Sequence, residues 1–240
     1  MITIQRKIKS FIKYKISKKI QDVLLEIIFL YTPVRLLKRV KISYTGYIQE
    51  QIPQKGDIVI DGGAFEGNFT ILASRLVGKK GRVIAFEPEK NSYWKLIQRI
   101  RKLKLKNVLI LNFALWDREE TLTFQYREEG LSYISKLSEN QEEETNIIKG
   151  ISIDEAKKIL KLKKIDFIKM DIEGAEIEAI QGAKKTLIDC DVYLTIASYH
   201  RRNGKRTSEI LPNILKKFGY LTKIGYPQHL TTYAWKKKPS

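Results

Sequence analysis

The sequence predicts an α/β domain, a mostly parallel sheet covered by helices on both faces, with a basic helical extension ahead of it. Three observations carry this reading. From Asp57 onward, short apolar runs alternate with amphipathic stretches, as expected for parallel strands joined by crossover helices. The first run ends in a glycine turn, Asp61-Gly62-Gly63-Ala64-Phe65-Glu66-Gly67, which leads directly into a helical pattern. The second run ends on an acid, Glu87, 26 residues after Asp61.

In the extension, Ile4, Ile8, Phe11, Ile12, Ile16 and Ile20 recur at three to four residues with lysines between them, the pattern of an amphipathic basic helix. Such a helix can lie on an anionic membrane, or pack on the core or on a second subunit. Gly46 to Gly56, with Pro53, reads as a linker, which divides the chain into 1–56 and 57–240. Strands are expected at 58–61, 83–87, 108–115, 166–171 and 192–198, and helices at 68–77, 92–103 and 176–187. Between Trp116 and Ile165 lies a polar insertion, with a strand at 122–126, an acidic loop at 139–144 and a helix starting near Asp154. At the C-terminus, 221–226 and 231–236 suggest a hairpin around Pro227-Gln228.

Composition narrows the function classes. The 240 residues are 43% hydrophobic and 30% charged, which excludes collagenous, low-complexity and wholly disordered chains. Cys190 is the single cysteine, so no internal disulfide forms and a cytoplasmic location is expected. Net charge is +18, and residues 1–56 hold 12 basic against 3 acidic residues. That density points to anionic partners. Lysine outnumbers arginine 33 to 12, whereas readout of phosphates and bases leans on the arginine fork, which weakens a nucleic-acid reading. The stretch Val23 to Leu37 is interrupted by Glu26, Pro33 and Arg35 and is too short to span a bilayer. Neither a signal peptide nor a transmembrane helix is expected.

The chemistry-bearing residues fall at the ends of the expected strands. Glycines after Asp61 let the backbone approach a ligand, and Glu87 can accept hydrogen bonds from a ribose diol. Together they suggest a nucleoside pocket. The spacing GxGxxG is not matched, which argues against NAD. Asp171, Glu173 and Glu176 form a carboxylate cluster after the fourth strand, with Lys169 expected to pair with one of them and Glu178 simply charging a helix start. His200, after the fifth strand, is the preferred general base, with Asp171 and Lys169 beside it in the catalytic set. His229 reads as a surface residue. Asp171, Glu173 and His200 have no metal-binding spacing, so no metal is expected. Glu173, Glu176, Arg201 and Arg202 are the candidates for binding the acceptor.

Four strings, Val59-Ile60-Asp61-Gly62-Gly63-Ala64 with Gly67, Ala85-Phe86-Glu87-Pro88, Ala114-Leu115-Trp116-Asp117 and Ile168-Lys169-Met170-Asp171-Ile172-Glu173-Gly174-Ala175-Glu176, resemble the FkbM-type S-adenosylmethionine-dependent methyltransferases. The resemblance covers about 57–200. It implies the class I methyltransferase fold, a Rossmann-like seven-stranded sheet with an antiparallel C-terminal hairpin, and methyl transfer typically to a hydroxyl oxygen. By resemblance, the turn with Gly63, Ala64 and Gly67 holds the methionine part of S-adenosyl-L-methionine, Glu87 binds the ribose, and Asp117 with Ala114 and Leu115 lies against the adenine. Asp61, Pro88 and Asp171 complete the implied cofactor set. The leading expectation is O-methylation of a sugar or glycan, lipid-linked or free. The rivals are an RNA methyltransferase using the basic extension, and a non-catalytic membrane- or partner-binding protein on this fold. The candidate partners are thus a hydroxyl-bearing acceptor, a membrane surface met peripherally through residues 1–40, and a second copy of the chain.

Overall fold

In the computed structural model, described here over residues 43–126, 132–136 and 146–237, the first apolar run forms β1 (Ile58–Gly62) and the glycine turn leads into α1 (Asn68–Val77). The amphipathic helix at 4–27 and the acidic loop at 139–144 lie outside the described residues. β2 (Arg82–Phe86), α2 (Lys90–Lys102) and β3 (Val108–Leu111) continue the alternation. Glu89 starts α2, its carboxylate accepting from the Asn91 and Ser92 N–H groups, which satisfies two of the helix's free donors.

The expected third strand is split. Asn112 breaks away to donate to the Glu87 and Pro88 carbonyls, and a separate β4 (Ala114–Leu115) follows. The insertion is more ordered than its polarity suggests. β5 (Glu120–Tyr126), β6 (Ser132–Lys136) and β7 (Asn146–Ile151) join β4 in a second sheet of order β4-β7-β5-β6. Leu122, Phe124, Ile134 and Ile148 are buried in it. α3 (Ile153–Ile159) then leads to β8 (Phe167–Met170).

The expected helix at 176–187 is two helices, α4 (Glu176–Gln181) and α5 (Lys184–Asp189). Gly182 between them passes so close to the chain after β4 that a Cβ there would lie 2.1 Å from the Trp116 carbonyl oxygen. β9 (Tyr193–Ala197) is followed by a hairpin, β10 (Arg201–Arg202) and β11 (Lys205–Arg206), and by α6 (Thr207–Lys216), which the sequence leaves unassigned and which carries Pro212 inside it. β12 (Tyr220–Gly225) and β13 (Thr231–Lys236) form the C-terminal hairpin.

The main sheet has the order β12-β13-β9-β8-β1-β2-β3. β13 is antiparallel to both neighbours, and the remaining pairings are parallel. Val59, Ile84, Ile168, Leu194 and Ile196 are fully buried, as strands covered on both faces require. The carboxyl ends of β1, β2, β8 and β9 therefore share one edge, where ligands of open α/β sheets gather.

Residues 41–240 make one compact unit, so the boundary read at 56 falls earlier. Ser43–Ile48 is not a linker but a 3-10 turn, with Tyr47 and Ile48 buried. Two large side chains have core to cover there, a cue that Gly46 and Pro53 mask. Among the described residues no helix is long and apolar enough to cross a membrane.

Gly182→Ala is expected to lower unfolding stability by on the order of 3 kcal/mol through overpacking. A urea midpoint equal to that of the wild type would show that the two helices can part from the Trp116 carbonyl freely.

Candidate active site

Register across β1 and β8 sets the first contact. Asp61 lies opposite Lys169, and both are buried. The Lys169 ammonium reaches Asp61 Oδ1 at 3.0 Å, the Gly62 carbonyl at 3.0 Å and the Gly63 carbonyl at 2.7 Å. All three of its protons are thus committed, and the Tyr47 ring covers it at 5.3 Å. Lys169 therefore holds the glycine turn rather than pairing with the acids after β8, and it is a positioning residue. Asp61 accepts a second bond from the Thr70 hydroxyl at 2.5 Å and sits beneath the turn.

Gly63 has a φ of +69°, and a Cβ on it would lie 1.9 Å from the Asp171 carbonyl oxygen. Only glycine fits there. Its N–H and that of Ala64 both donate to the Phe86 carbonyl at 3.0 Å, so the turn is tied to β2 as well as β8. Gly67, at φ +89°, packs on Leu96. Phe65 also takes a left-handed conformation, which aims its N–H at Glu87 Oε2, 2.6 Å away. The Glu89 N–H donates to Oε1 at 2.9 Å.

A cleft of about 440 Å³ opens above this edge, within the range of small-molecule sites. Gly63, Glu87 and Pro88 line it, as do Ala114, Leu115, Asp171 and Glu173. Phe113, Phe124 and Ile134 add an apolar wall, the last two contributed by the second sheet. Asp117 does not line the cleft. It packs against Gly182 and pairs with Arg118 at 3.1 Å, next to Trp116, which is buried. The wall expected to carry an acid is apolar instead.

Burial pushes the Glu87 carboxyl up to about 7, against the pull of the Glu89 and Phe65 N–H groups and of Lys169. At the other end of the cleft, burial would raise Asp171 too, but His229, Lys169, Tyr47 and His200 together hold it well below the usual carboxylate range. Tyr47 and Tyr199 donate to its two oxygens at 2.8 and 3.2 Å. Burial and the Asp171 charge keep both phenols neutral well past their ordinary range.

After β8 the chain turns through Glu173 at φ 56° and Gly174 at φ 96°. Glu176, fully buried at the start of α4, accepts from the Ile172 and Gly174 N–H groups at 3.3 and 3.2 Å. The same oxygen stands 3.0 Å from His200 Nδ1, while His200 Nε2 faces Glu173 at 3.5 Å and Asp171 at 4.0 Å. Burial alone would lower the imidazole, yet Glu173, Glu176 and Asp171 push it up to about 10. Three carboxylates crowd the ring and favour its protonated form.

Glu176 supports the His200 ring and the loop instead of facing the cleft. Arg202 is also spoken for, bonding the Gly174 carbonyl at 3.1 Å and Glu178 at 2.5 Å, so Glu178 does more than charge a helix start. Arg201 is exposed in the hairpin and bonds the Gly204 carbonyl. Two site residues escape the sequence reading. Tyr47 lies 124 positions from Asp171 in the stretch read as a linker. His229, read as a surface residue, approaches Asp171 Oδ2 at 3.7 Å and packs against Tyr199. Its signal was topological: β12 runs parallel to β1, so the turn after it emerges at the same edge.

Residues 61–222 match the methyltransferase FkbM domain. The chain belongs to this family. A solved FkbM methyltransferase from Methylobacillus flagellatus KT superposes with a TM-score of 0.60 at 16% identity, over 95% of this chain and 57% of its own. This FkbM-domain chain thus spans little more than half the length of that relative. Fibrillarin from Aeropyrum pernix, solved with natively bound S-adenosyl-L-methionine, gives 0.52 at 12% identity over 80% and 73%. Such likeness shows the fold, that of the class I methyltransferases. No curated protein matches the sequence.

Glu87 gives the site a stability signature. A carboxyl with a folded pKa of about 7 and an ordinary value of 4.5 contributes fully below pH 4.5. That contribution is lost as pH rises through about 7. Between pH 5 and 8 the wild type is expected to lose on the order of 3 kcal/mol more stability than Glu87→Gln. Parallel urea curves for the two proteins across that range would contradict it.

Proposed function

We propose that this chain is an S-adenosylmethionine-dependent O-methyltransferase whose acceptor is a sugar or glycan hydroxyl. The observation that supports it most is a single cleft with Glu87 at one end and Asp171 and Glu173 at the other. Each Glu87 oxygen takes one backbone N–H and keeps a lone pair for a further donor, as a vicinal ribose diol requires. Phe113, Leu115, Phe124 and Ile134 suit a flat purine. Gly63 keeps the methionine end free of side chains. S-adenosylmethionine, when bound, supplies an electrophilic methyl on a sulfonium.

The chain's own residues then have three tasks. The cleft excludes water on its apolar side and holds the acceptor oxygen in line. Asp171 and Glu173 accept hydrogen bonds from the hydroxyl, whose proton passes to the Glu173 carboxylate as the oxygen gains its methyl. Tyr47, Tyr199 and His229 fix Asp171 so that its carboxylate does not swing. The carboxylates on the rim oppose a phosphate backbone, which weighs against the RNA rival.

Calorimetry with S-adenosylhomocysteine tests the pocket: Glu87→Ala is expected to weaken binding at least about 10-fold, the loss of a charged hydrogen-bond acceptor, and unchanged affinity would refute the assignment. His200→Ala should retain that affinity and slow turnover by roughly 100-fold. For the acceptor, labelled cofactor is incubated with cell fractions of glycan, lipid, RNA and protein. Label in glycan, free or lipid-linked, supports the reading, and label confined to RNA or protein overturns it.

A further inference from the structure

We propose that Asp171, Glu173 and His200 form a divalent-cation site at the acceptor end of the cleft. One oxygen or nitrogen from each lies within 4.8 Å of the other two. Donors at about 2.0–2.3 Å from one ion stand roughly 3–4.5 Å apart. The His200 Nε2 separations of 3.5 Å from Glu173 and 4.0 Å from Asp171 meet that requirement. Only the span between the two carboxylates calls for an inward turn, and the Glu173 side chain, 35% exposed, is free to make it.

The decisive feature is the histidine. His200 is 8% exposed, and neither of its ring nitrogens completes a hydrogen bond of good geometry. A buried polar group left in that condition calls for a partner. Nε2 points at the two acids on the cleft, while Nδ1 has Glu176 at 3.0 Å. Glu176 is itself fixed by the Ile172 and Gly174 N–H groups. A carboxylate behind the ring and donors in front of it is the arrangement by which proteins orient a ligating imidazole.

Charge agrees with this placement. Asp171, Glu173 and Glu176 surround His200, His229 meets only Asp171 of the three, and the Lys169 ammonium is already committed to Asp61 and two carbonyls. The pocket keeps negative charge that a dication would neutralise. Two carboxylates and one imidazole form a mixed oxygen and nitrogen donor set, suited to Mn²⁺ or Mg²⁺ rather than to a thiolate-loving ion. Positions left open by the protein face the cleft, where an acceptor hydroxyl can join the ion and lose its proton more readily. That role rests on the methyltransferase reading, but the site itself does not.

The probe is Mn²⁺, titrated into chelator-treated full-length protein and followed by electron paramagnetic resonance. The expected result is one saturable site per chain. Glu173→Gln and His200→Ala should each weaken it at least about 10-fold, and Glu176→Gln by about 10-fold through the loosened ring. S-adenosylhomocysteine affinity, measured on the same samples, should stay unchanged and confirms that the variants are folded. Absence of a saturable Mn²⁺ site, or a site indifferent to both Glu173→Gln and His200→Ala, overturns the proposal. Loss of nucleoside affinity in every sample with the Mn²⁺ site intact would instead sink the cofactor reading and leave the cation site standing.

Discussion

One buried ion pair, Asp61 with Lys169, fixes everything at the carboxyl edge. Both side chains are almost wholly buried, so each charge depends on the other, 3.0 Å away, for compensation. Removing either partner would strand the other, typically a loss of about 3–5 kcal/mol. The pair also sets geometry. Lys169 spends its remaining protons on the Gly62 and Gly63 carbonyls, which pins the turn against β8. Asp171, two residues farther along, then comes within a backbone contact of Gly63. The Gly63 wall of the cleft and the Asp171 carboxylate are therefore tied to one interaction.

The cleft runs between two acids of opposite character. Glu87 lies in an apolar environment that makes its charge costly, and it carries that charge only from about neutral pH upward. Asp171, a quarter exposed, is surrounded by donors and stays ionised. Burial raises both, so neighbours decide the outcome. A ribose diol would supply donors to Glu87 and relieve the first cost. At the far end Tyr47, Tyr199 and His229 already serve Asp171, while Glu173 has only His200 among the described residues, at 3.5 Å.

Much of this was legible in the sequence because it is local. The strand ends, the glycine turn, Glu87 and the run from Ile168 to Glu176 all depend on spacing along the chain, and spacing survives folding. Glu176 and His200 come together at 3.0 Å, yet what each does depends on which face of a turn it occupies, and spacing does not report that. Asp117 failed for a related reason: it sits next to the buried Trp116 and off the cleft. Lys169 was assigned to the wrong acid because its true partner is set by the register of two strands 108 residues apart. Tyr47 had no local signal, being recruited from before the first strand.

Charge separates the parts of this chain by task. The whole carries +18, half of it in residues 1–56, whereas the acceptor end of the cleft is lined by carboxylates. Under the proposed reading, a phosphate beside the reacting hydroxyl would meet repulsion from Asp171 and Glu173, well inside a Debye length of roughly 8–10 Å. A hydroxyl carried on an uncharged sugar ring would avoid that repulsion, whereas a ribose within an RNA chain is flanked by phosphates on both sides.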